Sequence, residues 1–438
     1  MSASFIELPQ SETFCLRNAT LPAICVPAYS GTAREGLVRA DLVISDGRIA
    51  MVATPGAASL EIEAVDLKGA QVWPAFTDMH THLDKGHIWN RRPNPDGSFD
   101  GAIEAVRSDR DRHWSADDVR TRMDFSLRCA HVHGTRLIRT HIDSLGPQDR
   151  ISWPVFAEMR DAWKGRIELQ AAALIPLEAT EDQAWFDNLV KMIVECGGLL
   201  GGLTRMGPNL EAELDLLFRT AIDKGLDIDL HVDETADAEV RTLAAIAEAA
   251  LRHKYEGQVV VGHCCSLARQ ERDTAARTIG KVAEAGLAVV SLPMCNMYLQ
   301  DRNGGTPSWR GVTLFKELAA AGVATAVASD NTRDPFYAYG DLDPVEVFRE
   351  AVRILHLDHP LDEAARVVTR TPASILRRPE LGVIEADGAA DLVIFRARDW
   401  SELLSRAQAD RIVLRDGRAI DRTLPDYSEL DHLLERPK

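Results

Sequence analysis

Eight short apolar segments alternate with longer helix-like stretches through the middle of the chain, and that alternation leaves few folds open. The strand candidates are VWPAFTDMH (72–80), RLIRTHID (136–143), IELQAAALI (167–175), LLGGLTR (199–205), LDIDLHVDE (226–234), QVVVGHCC (258–265), LAVVSLPM (287–294) and VATAVASDN (323–331). Stretches between them, such as SADDVRTRMDFSLRCAHVHG and ADAEVRTLAAIAEAALRHK, open on Ser or Ala-Asp and carry apolar residues at helical spacing. Strands regularly alternating with helices make a parallel α/β sheet, and eight of them predict a (β/α)8 TIM barrel.

The two ends of the chain look alike. ADLVISDGRIAMVA (40–53) near the start, and ADLVIFRARDW (390–400) with RIVLRDGRAI (411–420) near the finish, are alternating or β-branched runs. Asp-Gly in the first and last of them is a hairpin signal. Such strands can pair across the chain, so a small β-sandwich is expected from 1–70 and 380–438, with the barrel, 71–379, inserted between. The Pro/Gly-rich RRPNPDGSFDG (91–101) reads as a loop over the outlet of the first strand, a natural lid.

Charge narrows the ligand. A net charge of −17 argues against a nucleic-acid partner or an anionic membrane surface and predicts a small, neutral or weakly charged ligand. There is no run of about 18 apolar residues, nor a basic start followed by an apolar stretch, so a cytoplasmic protein is expected. Seven scattered cysteines show no disulfide or zinc-finger spacing and are expected to be reduced. Cys264 and Cys265, beside a candidate site histidine, are given no role.

Active sites of such barrels lie at the C-terminal ends of the strands, and the notable polar residues fall there. His80 and His82 close the first strand, His231 the fifth, His263 the sixth and Asp330 the eighth. Two residues apart on an extended segment, His80 and His82 project from one face and can converge on one ion. Alone, such a pair is as compatible with packing. Joined by HVDE, GHCC and ASDN at other strand ends, it points to a metal.

PAFTDMHTHLDK (74–85), RTHID (139–143), DLHVDE (229–234), GHCCS (262–266), NMYLQDR (296–302), RGVTLFKELAAAGV (310–323) and SDNTRDPF (329–336) together resemble the amidohydrolase superfamily, and within it the cytosine deaminase branch. The SDNTRD segment also resembles an enzyme that strips alkylamines from triazine rings. The resemblance implies one divalent ion, zinc or iron, held by His80, His82, His231 and Asp330. Neutral imidazoles with a carboxylate suit a borderline first-row metal, and an open coordination position acidifies a water. Binuclear relatives bridge two ions with a lysine on strand three or four, and neither IELQAAALI nor LLGGLTR contains one. Glu234, three residues beyond His231, is then the proton shuttle between ring nitrogen and leaving amine. His263 would orient the attacking hydroxide, and Asp330 would accept the water proton. A supporting or structural role is expected for His141 and Asp143, and a surface position for His87, His131, His133, His253, His356 and His359.

The positions that read the ring depart from that branch. Where cytosine deaminases place a glutamine after strand three, LIPLEAT (174–180) offers Pro176 or Leu177. Asn331 stands for an aspartate, Phe336 for a tryptophan and Ser98 for a loop leucine, while Arg205, with Thr204 and Asn209, could supply replacement contacts. The expected activity is hydrolytic deamination of an amino-substituted nitrogen heterocycle, releasing ammonia, with the preferred ring left open. Cleavage of another C–N bond, in an alkylamino-triazine or a cyclic amide, is the alternative within enzymes. A non-catalytic binding protein on the same barrel is the alternative outside them. The resemblance also implies a homo-oligomer, for which no stretch of sequence specifies an interface.

Overall fold

The computed structural model describes residues 5–59 and 61–434. Its strands run β1 (Thr13–Pro22), β2 (Leu37–Ser45), β3 (Arg48–Ala53), β4 (Ala64–Asp66) and β5 (Gln71–Pro74), then β6 (Phe76–Thr81), β7 (Thr135–Asp143), β8 (Glu168–Leu174), β9 (Leu200–Leu203), β10 (Ile228–Val232), β11 (Val259–His263), β12 (Ala288–Ser291) and β13 (Ala324–Val327), and finally β14 (Leu392–Phe395), β15 (Ile412–Arg415) and β16 (Arg418–Ala419). Contacts divide the chain into two compact units, one of 1–78, 128–137 and 343–424, the other of 79–127, 138–342 and 425–438.

In the first unit the two chain ends share one sheet, in the order β16-β15-β14-β5-β1-β2-β3, with β4 beside β1. β14 pairs antiparallel with β5, Val393 opposite Trp73, which joins residues more than 300 positions apart. Alternation in the sequence buries Leu16, Leu42, Ile44, Val72, Ile394 and Leu414 in one core.

The second unit holds most of the barrel, while Phe76–Asp78 of β6 and Thr135–Leu137 of β7 fall in the first. The barrel strands form a parallel five-stranded sheet, β13-β12-β11-β10-β9, and a three-stranded sheet, β6-β7-β8. Bridges Ala172↔Leu199 and Pro176↔Leu203 join the sheets along one side, and Thr81↔Asp330 joins them along the other. The Asp330 N–H donates to the His80 carbonyl at 2.9 Å. Strands β10, β11 and β12 are buried along their whole length, as Val/Ile/Leu/Ala-rich parallel strands covered on both faces must be. The eight strands and their helices form the expected (β/α)8 barrel, and the chain ends form one mixed sheet, antiparallel except where β1 meets β4 and β5.

One expected strand serves two sheets. VWPAFTDMH divides at Ala75: Pro74 has no N–H to carry a ladder onward, the Ala75 N–H goes to Asp391, and the Phe76 N–H goes to Gly134. Among the described residues, no helix is long and apolar enough to cross a membrane. All seven cysteines are free, and all except Cys196 are buried.

Candidate active site

The strand ends bring four donors together. His231 Nε2 lies 3.2 Å from His80 Nε2 and 3.2 Å from His82 Nε2. Asp330 Oδ1 is 3.2 Å from His82 Nε2 and 3.7 Å from His80 Nε2. Ligands about 2.0–2.1 Å from a tetrahedral zinc ion sit about 3.3 Å from one another, so these atoms are spaced as an ion's donor set would be. All four side chains are buried, and burial, reinforced by neighbouring histidines or Lys85, holds the three imidazoles well below their usual pKa. They are neutral near pH 7, the form that donates to a metal.

Local backbone explains why the rings converge. A Cβ at Gly262 would stand 2.9 Å from His80 Cε1, so only glycine lets that ring lie against β11. His263 and Asp330 both adopt left-handed φ, 67° and 64°, an uncommon conformation for such residues that is concentrated at functional sites. Behind the cluster, His141 Nε2 contacts His80 Nδ1 at 3.1 Å and stands 3.7 Å from Asp229. Burial lifts Asp229 to about 6 against the pull of Arg139.

Glu234 and His263 meet over one amide. Asn296 Nδ2 donates to Glu234 Oε1 at 3.1 Å and lies 2.9 Å from His263 Nδ1. With Nδ1 accepting, the His263 proton resides on Nε2, a buried atom without a hydrogen-bond partner. Burial, with the nearby Asp330 charge, raises the Glu234 carboxyl well above its usual range, and burial lowers His263 to about 3 despite Asn296. The shift favours the protonated form of Glu234, and His263 carries no charge at neutral pH. The loop bearing Glu234 is anchored by Asp233, whose carboxylate accepts from the N–H groups of Thr242 and Leu243.

A cavity of about 180 Å³ opens above, lined by His82, His231, Glu234, His263 and Asp330 at its chemical end and by Phe99, Phe336, Ile175, Pro176, Asn331 and Arg205 among its walls. Asn331 is fixed by its amide, which donates to Asp334 at 2.7 Å. Two expected ring contacts lie outside this lining. Ser98 is the N-cap of the helix Phe99–His113, its hydroxyl accepting from the Gly101 N–H, and the next residue, Phe99, faces the cavity instead, edge-on to Phe336 at 5.6 Å. The 91–101 loop accordingly ends in a helix. Leu177 is fully buried at the start of a short 3-10 turn, leaving Leu174, Ile175 and Pro176 on the wall. His87 and His133 are buried, contrary to the expected surface position, because their helix and loop pack inward. Asn296, Lys85, Phe99, Arg107 and Arg110 were given no role by sequence reasoning. Of these only Phe99 had a usable signal, the Ser98 cap before a helical apolar pattern.

A barrel gathering three neutral imidazoles, an aspartate and a buried glutamate at the inner end of one open cavity has the donors and the acid-base group of a hydrolase of C–N bonds other than peptide bonds. The chain belongs to the amidohydrolase family, whose model matches residues 63–131 and 163–420. It is 63% identical over 435 residues to the pterin deaminase of Rhizobium rhizogenes, covering 99% of this chain and 100% of that protein. Identity is 24% over 382 residues to N-isopropylammelide isopropyl amidohydrolase of Pseudomonas sp., covering 82% of this chain and 88% of that one. The crystal structure of 5-methylcytosine deaminase from Klebsiella pneumoniae, liganded with 5-fluorocytosine, superposes with a TM-score of 0.79 at 22% identity, over 94% of this chain and 98% of that one. The fold is shared with that enzyme, and the hydrolytic deamination of a nitrogen heterocycle expected from the sequence stands.

Proposed function

We propose that this enzyme removes the 2-amino group of a pterin as ammonia, within the barrel at 71–379, at a site for one divalent ion, zinc or iron. The substrate rests on one observation, 63% identity along the whole chain to a protein named pterin deaminase. The cavity supports it: where a single-ring reader is expected after the third barrel strand, Leu174, Ile175 and Pro176 make an apolar wall, with Phe99 and Phe336 also lining the space. Such walls suit the faces of a fused bicyclic ring.

When bound by His80, His82, His231 and Asp330, the ion supplies Lewis acidity that makes a water nucleophilic near neutral pH. In this reading, Asp330 takes the proton of the attacking water. Glu234, with Asn296 on Oε1, holds its proton on Oε2 and gives it to the ring nitrogen beside the amidine carbon, takes up the hydroxyl proton of the adduct and passes it to the departing amine, and is restored by the proton held on Asp330. His263 donates from Nε2 to the oxygen arriving at that carbon. The carbon gains a C–O bond and loses its exocyclic C–N bond, so water and pterin give ammonia and a 2,4-dioxopteridine. Phe336 and Asn331 border the ring and Arg205 the outer rim, while Leu177 and Ser98 act from behind by holding the wall and the capping helix in place.

Release of ammonia from pterin, isocytosine and cytosine, and of isopropylamine from N-isopropylammelide, by metal-reconstituted protein tests this, with pterin expected to be turned over at least about tenfold better than the others, a margin of about 1.4 kcal/mol. Turnover of cytosine or the ammelide without turnover of pterin would falsify it. Glu234→Gln is expected to lower kcat by about 10²–10⁴-fold with metal content retained. A variant as active as the parent removes the shuttle.

A further inference from the structure

We propose that the outer wall of the cavity is an anion subsite, and that the preferred substrate is a pteridine bearing a carboxylate on its pyrazine ring. The inference rests on the pterin reading above. The chain's net charge of −17 predicts a neutral or weakly charged ligand, yet the cavity has the opposite sign. Lys85, Arg107, Arg110 and Arg205 all line it. Apart from Glu234 and Asp330 at the chemical end, the only carboxylate in the lining is Asp143. Lys85 Nζ takes one oxygen of Asp143 at 2.6 Å, and Arg110 Nη1 stands 3.6 Å from the other. Arg107 and Arg205 are exposed, and among the described residues neither is held by a hydrogen bond or an ion pair. Two unpaired guanidinium groups facing a cavity in an acidic protein focus an attractive field for an anion there.

Placement decides which part of the substrate they meet. Arg107 follows Phe99 by eight residues and Ile103 by four on the helix Phe99–His113, so helical spacing puts all three on the face that lines the cavity. Arg205 comes from the opposite wall, just beyond β9. The histidine and aspartate cluster is buried, and both arginines are solvent-exposed. A pterin with its amidine at the cluster must therefore direct its pyrazine ring toward the mouth. A carboxylate on that ring reaches the arginines, whose planar forks match its two oxygens.

The test compares kcat/KM for pterin-6-carboxylate and pterin at low and high ionic strength, in the unaltered protein and in Arg107→Ala/Arg205→Ala. The carboxylate is expected to be preferred about tenfold at low salt, with salt eroding the preference and the double variant bringing the ratio to about one. The salt dependence is read on the unaltered protein and does not need the variant to fold. Equal, salt-insensitive turnover of the two pteridines overturns the subsite and leaves the pterin reading intact. Failure to turn over either pteridine, with ammonia released from another ring, overturns the pterin reading and the subsite with it.

Discussion

The ends of β6 and β7 are neighbours in one sheet and carry the same spacing, His-x-His at 80 and 82 and His-x-Asp at 141 and 143, yet they do different work. His80 and His82 turn their Nε2 atoms to the same small volume, 3.2 Å from His231 Nε2. One strand over, His141 touches the back of the His80 ring, and Asp143 faces the cavity wall, paired with Lys85. An i, i+2 pair on a strand guarantees a shared face and nothing more. The donors on other strands decide which pair converges: the His141 ring lies 4.5 Å from that of His231, but its Nε2 is turned to His80 Nδ1 and Asp229, whereas His80 and His82 both turn Nε2 to His231 and Asp330.

His82→Asn removes a donor from the convergent pair and gives the largest expected effect: loss of stoichiometric metal and a fall in kcat/KM of at least about 10³-fold, measured by metal analysis and ammonia release. Full metal content in that variant would place the ion elsewhere. His141→Asn should act more weakly and through metal affinity, about 10–100-fold, because it orients a ligand instead of being one. A chelator competition curve reads this directly. If His141→Asn emptied the site as completely as His82→Asn, the two strand ends would be equivalent and the distinction drawn between them lost.

The sequence carried the convergent group because each member sits at the end of a strand whose apolar run is local and visible: HVDE, GHCC and ASDN announce themselves without tertiary information. Support from elsewhere left no such mark. Asn296 reaches Glu234 and His263 from the helix Pro293–Leu299, and a neutral amide in NMYLQDR has no pattern separating it from a surface residue. Ser98 and Phe99 show the limit of reading by position. The cap needs a small hydroxyl and the cavity needs an apolar wall, so the two demands fall on consecutive residues and a comparison of loops lands one residue early. Leu177 failed similarly, because the chain turns into the 3-10 segment just after Pro176 and takes the leucine inward. The division of 72–80 between two sheets depended on partners far along the chain, Asp391 and Gly134.

Asp143→Asn probes the other half of the comparison and should disturb the chemistry least. Burial works against the charge of Lys85, but Asp143 and Asp84 outweigh it and keep the amine above its ordinary pKa. Removing the carboxylate leaves a buried ammonium without its 2.6 Å partner, a change that typically destabilises by about 3 kcal/mol or more, or a Tm lower by about 3 °C in a chain this long. Metal content should stay stoichiometric, since Asp143 belongs to the cavity wall and not to the donor cluster. Loss of metal from Asp143→Asn at unchanged Tm would instead make the His-x-Asp of β7 a second donor pair. The same substitution removes the negative charge shared by Lys85 and Arg110, so the preference for a carboxylated pteridine should rise above that of the unaltered protein. A preference that fell would show that Asp143 holds those two cations in position for the anion, and that pairing in the wall matters more there than its net charge.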